Sequence, residues 1–142
     1  MAKMYHGIEI EASPEKVYDA LTTQKGLRGW WTLDSLIAEP SEEGGTAEFG
    51  FERRAVVFKM RIDELAPGEL VSWKCVGGPK EWKGTRLRWE IAKSKNGSVL
   101  EFTHSKWKSV DEYFRMCNST WGELMYRFKA YVEKGLAEPL FK

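Results

Sequence analysis

Residues 109–135 read SVDEYFRMCNSTWGELMYRFKAYVEKG, and their apolar side chains recur at the spacing of one helix face. These side chains are Tyr113, Phe114, Cys117, Trp121, Leu124, Met125, Phe128 and Val132. Ser109 and Glu112 have the spacing of a capping box, in which each side chain satisfies a free N–H of the first turn. Gly135 ends the pattern, and Pro139 prevents the helix from resuming. The sequence therefore predicts a C-terminal helix of about 26 residues and ~39 Å, which is long enough to cross the face of a sheet.

The chain before this helix alternates apolar and polar residues, which is the period-two pattern of strands with one buried face. Six strands are predicted, at Met4–Glu11, Thr46–Phe51, Val56–Leu65, Leu70–Val76, Thr85–Ile91 and Val99–Ser105. Turn residues at Pro67-Gly68, Gly77-Gly78-Pro79 and Asn96-Gly97 join consecutive strands and favour an antiparallel meander with one solvated face.

Two short helices are predicted between the first strand and the rest. Ser13 followed by Pro14 indicates a helix start, because proline at the first helical position loses no intrahelical hydrogen bond. Thr23 can cap a second short helix that runs to about Trp31. The fold class is therefore α+β, with a curved antiparallel sheet wrapped around the long helix.

Charge and composition exclude several classes of protein. The 142 residues include 22 Lys and Arg against 21 Asp and Glu, and a net charge of +1 argues against nucleic acid as partner. No apolar stretch approaches the ~20 residues of a spanning helix, and the first residues lack a secretory signal. Cys75 and Cys117 have no Cys-x-x-Cys spacing, as is typical of reduced intracellular thiols. We expect a cytoplasmic protein with no membrane span, folded as one domain over residues 1–142.

The order of these elements resembles the helix-grip arrangement of the START-like (SRPBCC) superfamily. The resemblance covers nearly the whole chain and is carried by Ile8-x-Ile10-x-Ala12-Ser13-Pro14-x-x-Val17-Tyr18-x-Ala20-Leu21, Trp30-Trp31, Trp82-x-Gly84-Thr85, Phe102-Thr103-His104 and Trp121-Gly122. Together these pieces are similar to the branch named for the activator of heat-shock protein 90 ATPase, including its stand-alone members. The resemblance implies an apolar cavity between the sheet and the long helix, used in different members to carry lipids, hormones and polyketides or to act on them.

Residue parity in the strands and the inward stripe of the long helix indicate which side chains would line such a cavity, and Trp31, after the second short helix, would close one end of it or fill the core. The candidates are Trp31, Phe49, Phe51, Phe58, Met60, Trp73, Trp89, Phe102, His104, Tyr113, Cys117 and Trp121. The alternative is that these rings fill a core, as buried aromatic residues usually do. Taken together, so many rings suit a pocket of ~300–1,000 Å³ for a small molecule. Trp82, in the turn before a strand, is placed either to gate the mouth of the cavity or to anchor the packing.

His104 is the polar residue expected to face the interior. It would bond a ligand oxygen or transfer a proton, or else it is a structural histidine bonded to backbone or water. His6, Cys75, His104 and Cys117 are also residue types that bind zinc, but their spacings are not those of a metal site. No local motif indicates a catalytic nucleophile, metal or cofactor, so we expect no cofactor and name no catalytic residue.

The later strands carry a surplus of positive charge. Residues 74–108 include nine basic and three acidic side chains. Lys74, Arg86 and Arg88 lie on the outward face and form a basic strip, which is either a docking surface for a partner or an ordinary solvated sheet face.

The sequence favours one function and leaves two alternatives open. The favoured function is binding or sequestration of a small hydrophobic or aromatic ligand. The first alternative is a chaperone-associated interaction module that uses the basic strip. The second is a cyclase- or hydrolase-like enzyme that uses His104 and the cavity tyrosines, for which the sequence supplies no argument.

Overall fold

The computed structural model describes residues 2–142 and contains seven strands and three helices in that range. The strands are β1 (Ala2–Ile10), β2 (Ser35–Ile37), β3 (Thr46–Phe51), β4 (Val56–Ala66), β5 (Leu70–Gly77), β6 (Arg86–Ser94) and β7 (Gly97–Trp107). The helices are α1 (Pro14–Thr22), α2 (Gln24–Trp30) and α3 (Glu112–Lys134).

The seven strands form one antiparallel sheet in the order β1-β7-β6-β5-β4-β3-β2. Strands β2 to β7 follow one another as a meander, and β1 closes the far side by pairing with β7. This arrangement is the predicted helix-grip fold, with the two short helices after the first strand and the long helix α3 at the end of the chain. Within residues 2–142, none of the helices combines the length and apolar composition needed to cross a membrane.

Alternation along the strands places the core on the face of the sheet toward α3. In β4, for example, Phe58, Met60 and Ile62 are buried, whereas Lys59 and Arg61 are exposed. Trp121 of α3 packs on this face against Phe102 of β7, with ring centroids 4.3 Å apart. The helix is thereby fixed to the sheet through aromatic side chains, which bury large apolar areas.

The two short helices begin where the sequence predicts. The Ser13 hydroxyl accepts a hydrogen bond from the backbone N–H of Lys16 at 3.3 Å, and the Thr23 hydroxyl accepts one from Gly26 at 3.1 Å. Trp30, at the end of α2, donates its indole N–H to the Ala20 carbonyl at 3.0 Å. The two caps satisfy free N–H groups in the first turns of their own helices, and the hydrogen bond from Trp30 to Ala20 joins α2 to α1.

Two details of the sequence prediction are corrected. The N-cap of α3 is Asp111 and not Ser109: the Asp111 carboxylate accepts the Phe114 N–H at 3.0 Å, while the Ser109 hydroxyl donates to Asp111. The helix has 23 residues, shorter than predicted, because it starts after this cap. The second correction is β2, a three-residue edge strand that is too short to produce a period-two pattern.

Candidate functional site

A cavity of about 440 Å³ lies between the first half of α3 and the end of the sheet where β3 turns into β4. Its walls come from α3, from the β3–β4 hairpin, from the loop before β6 and from the end of the chain. They consist of Trp31, Phe51, Glu52, Val56, Phe58, Trp82, Tyr113, Cys117, Thr120, Trp121, Leu124, Leu140, Phe141 and Lys142. Half of these residues are aromatic, so the cavity offers mainly apolar surface to a guest.

The aromatic walls support one another through ring contacts. Phe58 and Trp82 meet edge to face at a centroid distance of 4.4 Å, and Phe51 meets Phe141 in the same way at 4.9 Å. Trp31 stacks on Phe49, beneath the wall, at 4.2 Å. Because each ring is held by at least one other ring, the shape of the cavity is largely preformed.

Six of the twelve predicted cavity residues lie on the cavity wall: Trp31, Phe51, Phe58, Tyr113, Cys117 and Trp121. The other six, which are Phe49, Met60, Trp73, Trp89, Phe102 and His104, are not among the lining residues and are at most 1% exposed. They face α3, as parity predicts, but they pack against one another beneath the cavity. In the structure, half of the predicted set is therefore core, which is the alternative that the sequence left open.

His104 is held on both sides by hydrogen bonds. Its Nδ1 accepts the Trp121 indole N–H at 3.1 Å, so Nε2 carries the proton and donates to the Thr85 hydroxyl at 2.9 Å. Thr85 in turn donates to the Trp82 carbonyl at 2.6 Å. Burial lowers the pKa of His104 to about 3, because the charged imidazolium loses its hydration. His104 is therefore a neutral side chain that positions two residues of the cavity wall, Trp121 and Trp82.

The polar groups on the inner wall are uncharged. Burial raises the pKa of the Tyr113 hydroxyl to about 12 and also raises the pKa of the Cys117 thiol. The charged members of the lining are Glu52 and Lys142, both exposed. A guest would thus meet an apolar, neutral interior with charges at its rim.

Several lining residues were not predicted from the sequence. Leu140, Phe141 and Lys142 belong to a segment after α3 that has no periodic pattern. Phe141 is fixed beside the cavity because its N–H donates to the Trp31 carbonyl and its carbonyl accepts the Leu33 N–H, both at 3.0 Å. Trp82, considered as a gate or an anchor, contributes to the wall and is 5% exposed.

The four residues considered as zinc ligands, His6, Cys75, His104 and Cys117, do not come together as a metal site. His6 Nε2 lies 2.9 Å from the Asn118 side-chain oxygen at the surface, and both nitrogens of His104 are already hydrogen-bonded. The Cys75 thiol donates to the Gly77 carbonyl at 3.3 Å, and burial raises its pKa to about 11. Among residues 2–142, no group of three or more His, Cys, Asp or Glu side chains is arranged to hold a metal ion.

The basic strip of Lys74, Arg86 and Arg88 lies on the outer face of the sheet, interleaved with carboxylates. Arg86 pairs with Asp63 at 3.6 Å, while Arg88 pairs with Glu64 at 3.4 Å and with Glu90 at 3.2 Å. The positive charge of the basic strip is therefore partly balanced by Asp63, Glu64 and Glu90.

Comparison with known proteins assigns the fold to a family. Residues 11–133 match the family model described as Activator of Hsp90 ATPase homolog 1-like protein. No match is found among curated proteins.

Solved structures agree with this assignment. The solution structure of the Aha1 dimer from Colwellia psychrerythraea has 34% sequence identity and a TM-score of 0.84, over 95% of this chain and 98% of that chain. Protein SSP2350 from Staphylococcus saprophyticus matches at 17% identity and a TM-score of 0.78, over 96% of each chain. DynU16, from the dynemicin biosynthetic locus, matches at 17% identity and a TM-score of 0.76, over 95% of this chain and 48% of that chain. The last two likenesses concern the fold alone.

The helix-grip architecture, the family match over residues 11–133 and the similarity to the Colwellia structure lead to one conclusion. The chain belongs to the family of Activator of Hsp90 ATPase homolog 1-like proteins.

Proposed function

We propose that this protein binds a small, mainly apolar compound in the cavity beside α3 and carries or sequesters it. The observation that carries the proposal is the cavity itself, whose volume of about 440 Å³ falls in the range of small-molecule sites. Its aromatic walls suit a flat or ring-containing guest, because stacked and edge-to-face ring contacts add to the gain from apolar burial.

The cavity has features that favour binding over catalysis. His104, which an enzyme of this kind would use as acid or base, has both ring nitrogens engaged by Trp121 and Thr85. Its depressed pKa keeps it neutral and its side chain is fully buried beneath the wall. These contacts favour a positioning role for His104 over an acid–base role.

Solvent extraction of the natively purified protein, followed by mass spectrometry, tests the proposal. We expect a recurrent apolar compound in near-stoichiometric amount. Re-adding that compound to stripped protein should raise the melting temperature with concentration, because a ligand that binds only the folded state stabilises it. An empty extract, together with no thermal stabilisation by a panel of aromatic and aliphatic compounds, would contradict the proposal.

A second candidate function rests on the family match. The description of the family refers to activation of the Hsp90 ATPase. We propose, as an alternative, that this chain docks on that chaperone through the outer face of its sheet. The basic strip supplies the charges, although Asp63 and Glu64 partly offset them. A salt-sensitive complex that is lost on reversing Arg86 and Arg88 to Glu would support this alternative. Stimulation of the ATPase that survives both reversals would exclude the strip as the docking site.

A proposal on assembly follows from the Colwellia relative, which is described as a dimer. We infer that this chain also self-associates. Sedimentation velocity over a range of concentrations should show a dimer, and a monomer at every concentration would contradict the inference.

A further inference from the structure

A shallow groove of about 300 Å³ runs along the outer side of α3 and shares no lining residue with the cavity. This α3 groove is lined by Glu123, Tyr126, Arg127, Ala130, Leu136 and Glu138. Two of its large apolar side chains face solvent, since Tyr126 is 70% exposed and Leu136 is 48% exposed. Large apolar side chains grouped in one exposed concave surface are typical of an interaction site, because their burial against a partner is favourable.

The α3 groove lies between the helix and the segment that follows it. Its helix wall consists of residues three or four positions apart, which share one face of α3. Gly135, with a φ of 69°, ends the helix and turns the chain. The Arg127 guanidinium donates to the Glu138 carbonyl at 2.7 Å and so holds the returning segment beside the helix. Leu136 belongs to this segment and forms the second wall.

One acidic and one basic side chain stand on the helix wall beside Tyr126. Glu123 and Arg127 lie 3.6 Å apart, and their side chains are 56% and 34% exposed. A partner with charge of one sign, such as a nucleic acid or an anionic membrane, would be repelled by one of the two. A partner helix that carries the same two charges in the reverse direction complements both. A second copy of α3, lying antiparallel, has this arrangement.

We propose that the α3 groove is the contact between two copies of this chain, which lie about a two-fold axis with their α3 helices antiparallel. The inference rests on the self-association proposed above and names its surface. The Tyr126 ring of each copy packs into the groove of the other, and Glu123 of each copy faces Arg127 of the other. A two-fold contact must be complementary to itself, and this surface supplies both the ring and the groove, and both charges.

The proposed contact is small, because two helices that cross at an angle touch over only a few turns. Such an area lies at the low end of specific protein interfaces. We therefore expect a weak dimer with a dissociation constant on the order of micromolar.

Charge reversal with mixing tests the pairing of Glu123 and Arg127. Glu123→Arg and Arg127→Glu each place like charges opposite one another in a homodimer, so each should weaken self-association at least about tenfold. An equimolar mixture of the two variants restores opposite charges at both contacts. Sedimentation velocity should therefore show monomers in each variant alone and a dimer in the mixture.

Arg86→Glu is the matched control, because it makes the same change of charge at a side chain 45% exposed on the outer face of the sheet. This variant should dimerise like the wild type. Wild-type dimerisation by both groove variants, or a mixture of folded variants that stays monomeric, would overturn the inference while leaving self-association through another surface intact. A wild type that is monomeric at every concentration would contradict self-association itself, and with it this inference.

A measurement on the wild type keeps the inference testable even where a charge-reversed variant does not fold. Oxidation of Tyr126 by hydroxyl radicals should fall as the protein concentration is raised through the range of dimerisation, because the ring becomes buried in the partner's groove. Tyr5, on β1, is 60% exposed and serves as the internal control. Equal changes at Tyr126 and Tyr5 in a sample that sedimentation shows to be dimeric would overturn the inference.

Discussion

Trp121 on α3 and His104 on β7 are joined by a buried hydrogen bond of 3.1 Å, in which the indole N–H donates to Nδ1 of the imidazole. The second imidazole nitrogen continues the connection to Thr85 and so to the loop that carries Trp82. The long helix, the sheet and the loop before β6 are thus linked by one chain of polar contacts beneath the cavity. Such fully satisfied buried networks fix a single arrangement of the surrounding side chains.

This link predicts a pH-dependent stability. The pKa of His104 is about 3 in the folded chain, against an ordinary value of 6.5, so the unfolded chain binds the extra proton between these values. The contribution of neutral His104 to the free energy of unfolding is therefore complete above pH 6.5, and it is lost progressively as the pH falls toward 3. Between about pH 7.5 and about pH 5, urea unfolding of the wild type should lose roughly 2 kcal/mol more than that of His104→Gln. Equal losses in the two proteins would show that His104 is not the titrating group.

The cap of α3 predicts unequal effects for two neighbouring residues. Asp111→Ala removes the acceptor of the Phe114 N–H and should lower the melting temperature by a few degrees. Ser109→Ala removes only a contact to the Asp111 carboxylate and should change it much less. A larger effect of Ser109→Ala would restore Ser109 as the cap residue.

We predict that replacing Gly122, in the middle of α3, by alanine stabilises the protein. A methyl group there would have His6 Cε1, at 3.8 Å, as its nearest neighbour outside the local helix, which is an ordinary contact distance. Gly122→Ala should therefore raise the free energy of unfolding by about 0.5–1 kcal/mol, because alanine restricts the unfolded chain and favours the helix. Urea denaturation measures this change, and a destabilised variant would show that the helix approaches its neighbours more closely than the structure indicates.

For Gly26, in α2, we predict that replacement by alanine destabilises the protein. A methyl group at this position would lie 2.6 Å from Ala20 Cα and 2.7 Å from the Ala20 carbonyl oxygen, and backbone atoms cannot move aside cheaply. Gly26→Ala should lower the free energy of unfolding by roughly 1–3 kcal/mol. Gly7→Ala is the control, because its methyl group would meet no heavy atom within 4 Å among residues 2–142. Similar unfolding midpoints for the two variants would contradict the close packing of α1 on α2.

Most of the architecture could be predicted from the sequence because it is encoded in strong periodic patterns. The starts of α1 and α2 were also predictable, since Ser13 and Thr23 are the cap residues that the structure shows. The start of α3 was not, because Ser109 and Asp111 are both good cap residues and only the backbone geometry chooses between them. The edge strand β2 has three residues and therefore carries no readable period.

The candidate cavity was only half predictable, for a geometric reason. Alternation along a strand tells which face a residue such as Phe49 or Phe51 points to, but not how far along the sheet the helix leaves a space. Phe51 lies at the cavity end and lines it, whereas Phe49 lies two residues back and is fully buried. Phe141 follows no pattern at all and reaches the cavity through two backbone hydrogen bonds near Trp31.

Calorimetric titration of 9-fluorenone into the wild type, Thr120→Trp and Ser119→Trp tests most directly the claim that the cavity beside α3 binds an apolar guest. Thr120 lines the cavity, so tryptophan there should fill it, whereas Ser119 is its exposed neighbour on the same helix and serves as the matched control. We predict that the wild type and Ser119→Trp bind with similar affinity and that Thr120→Trp loses at least about tenfold, a loss of roughly 1.4 kcal/mol. Equal binding by all three folded proteins would place any guest elsewhere and contradict the account.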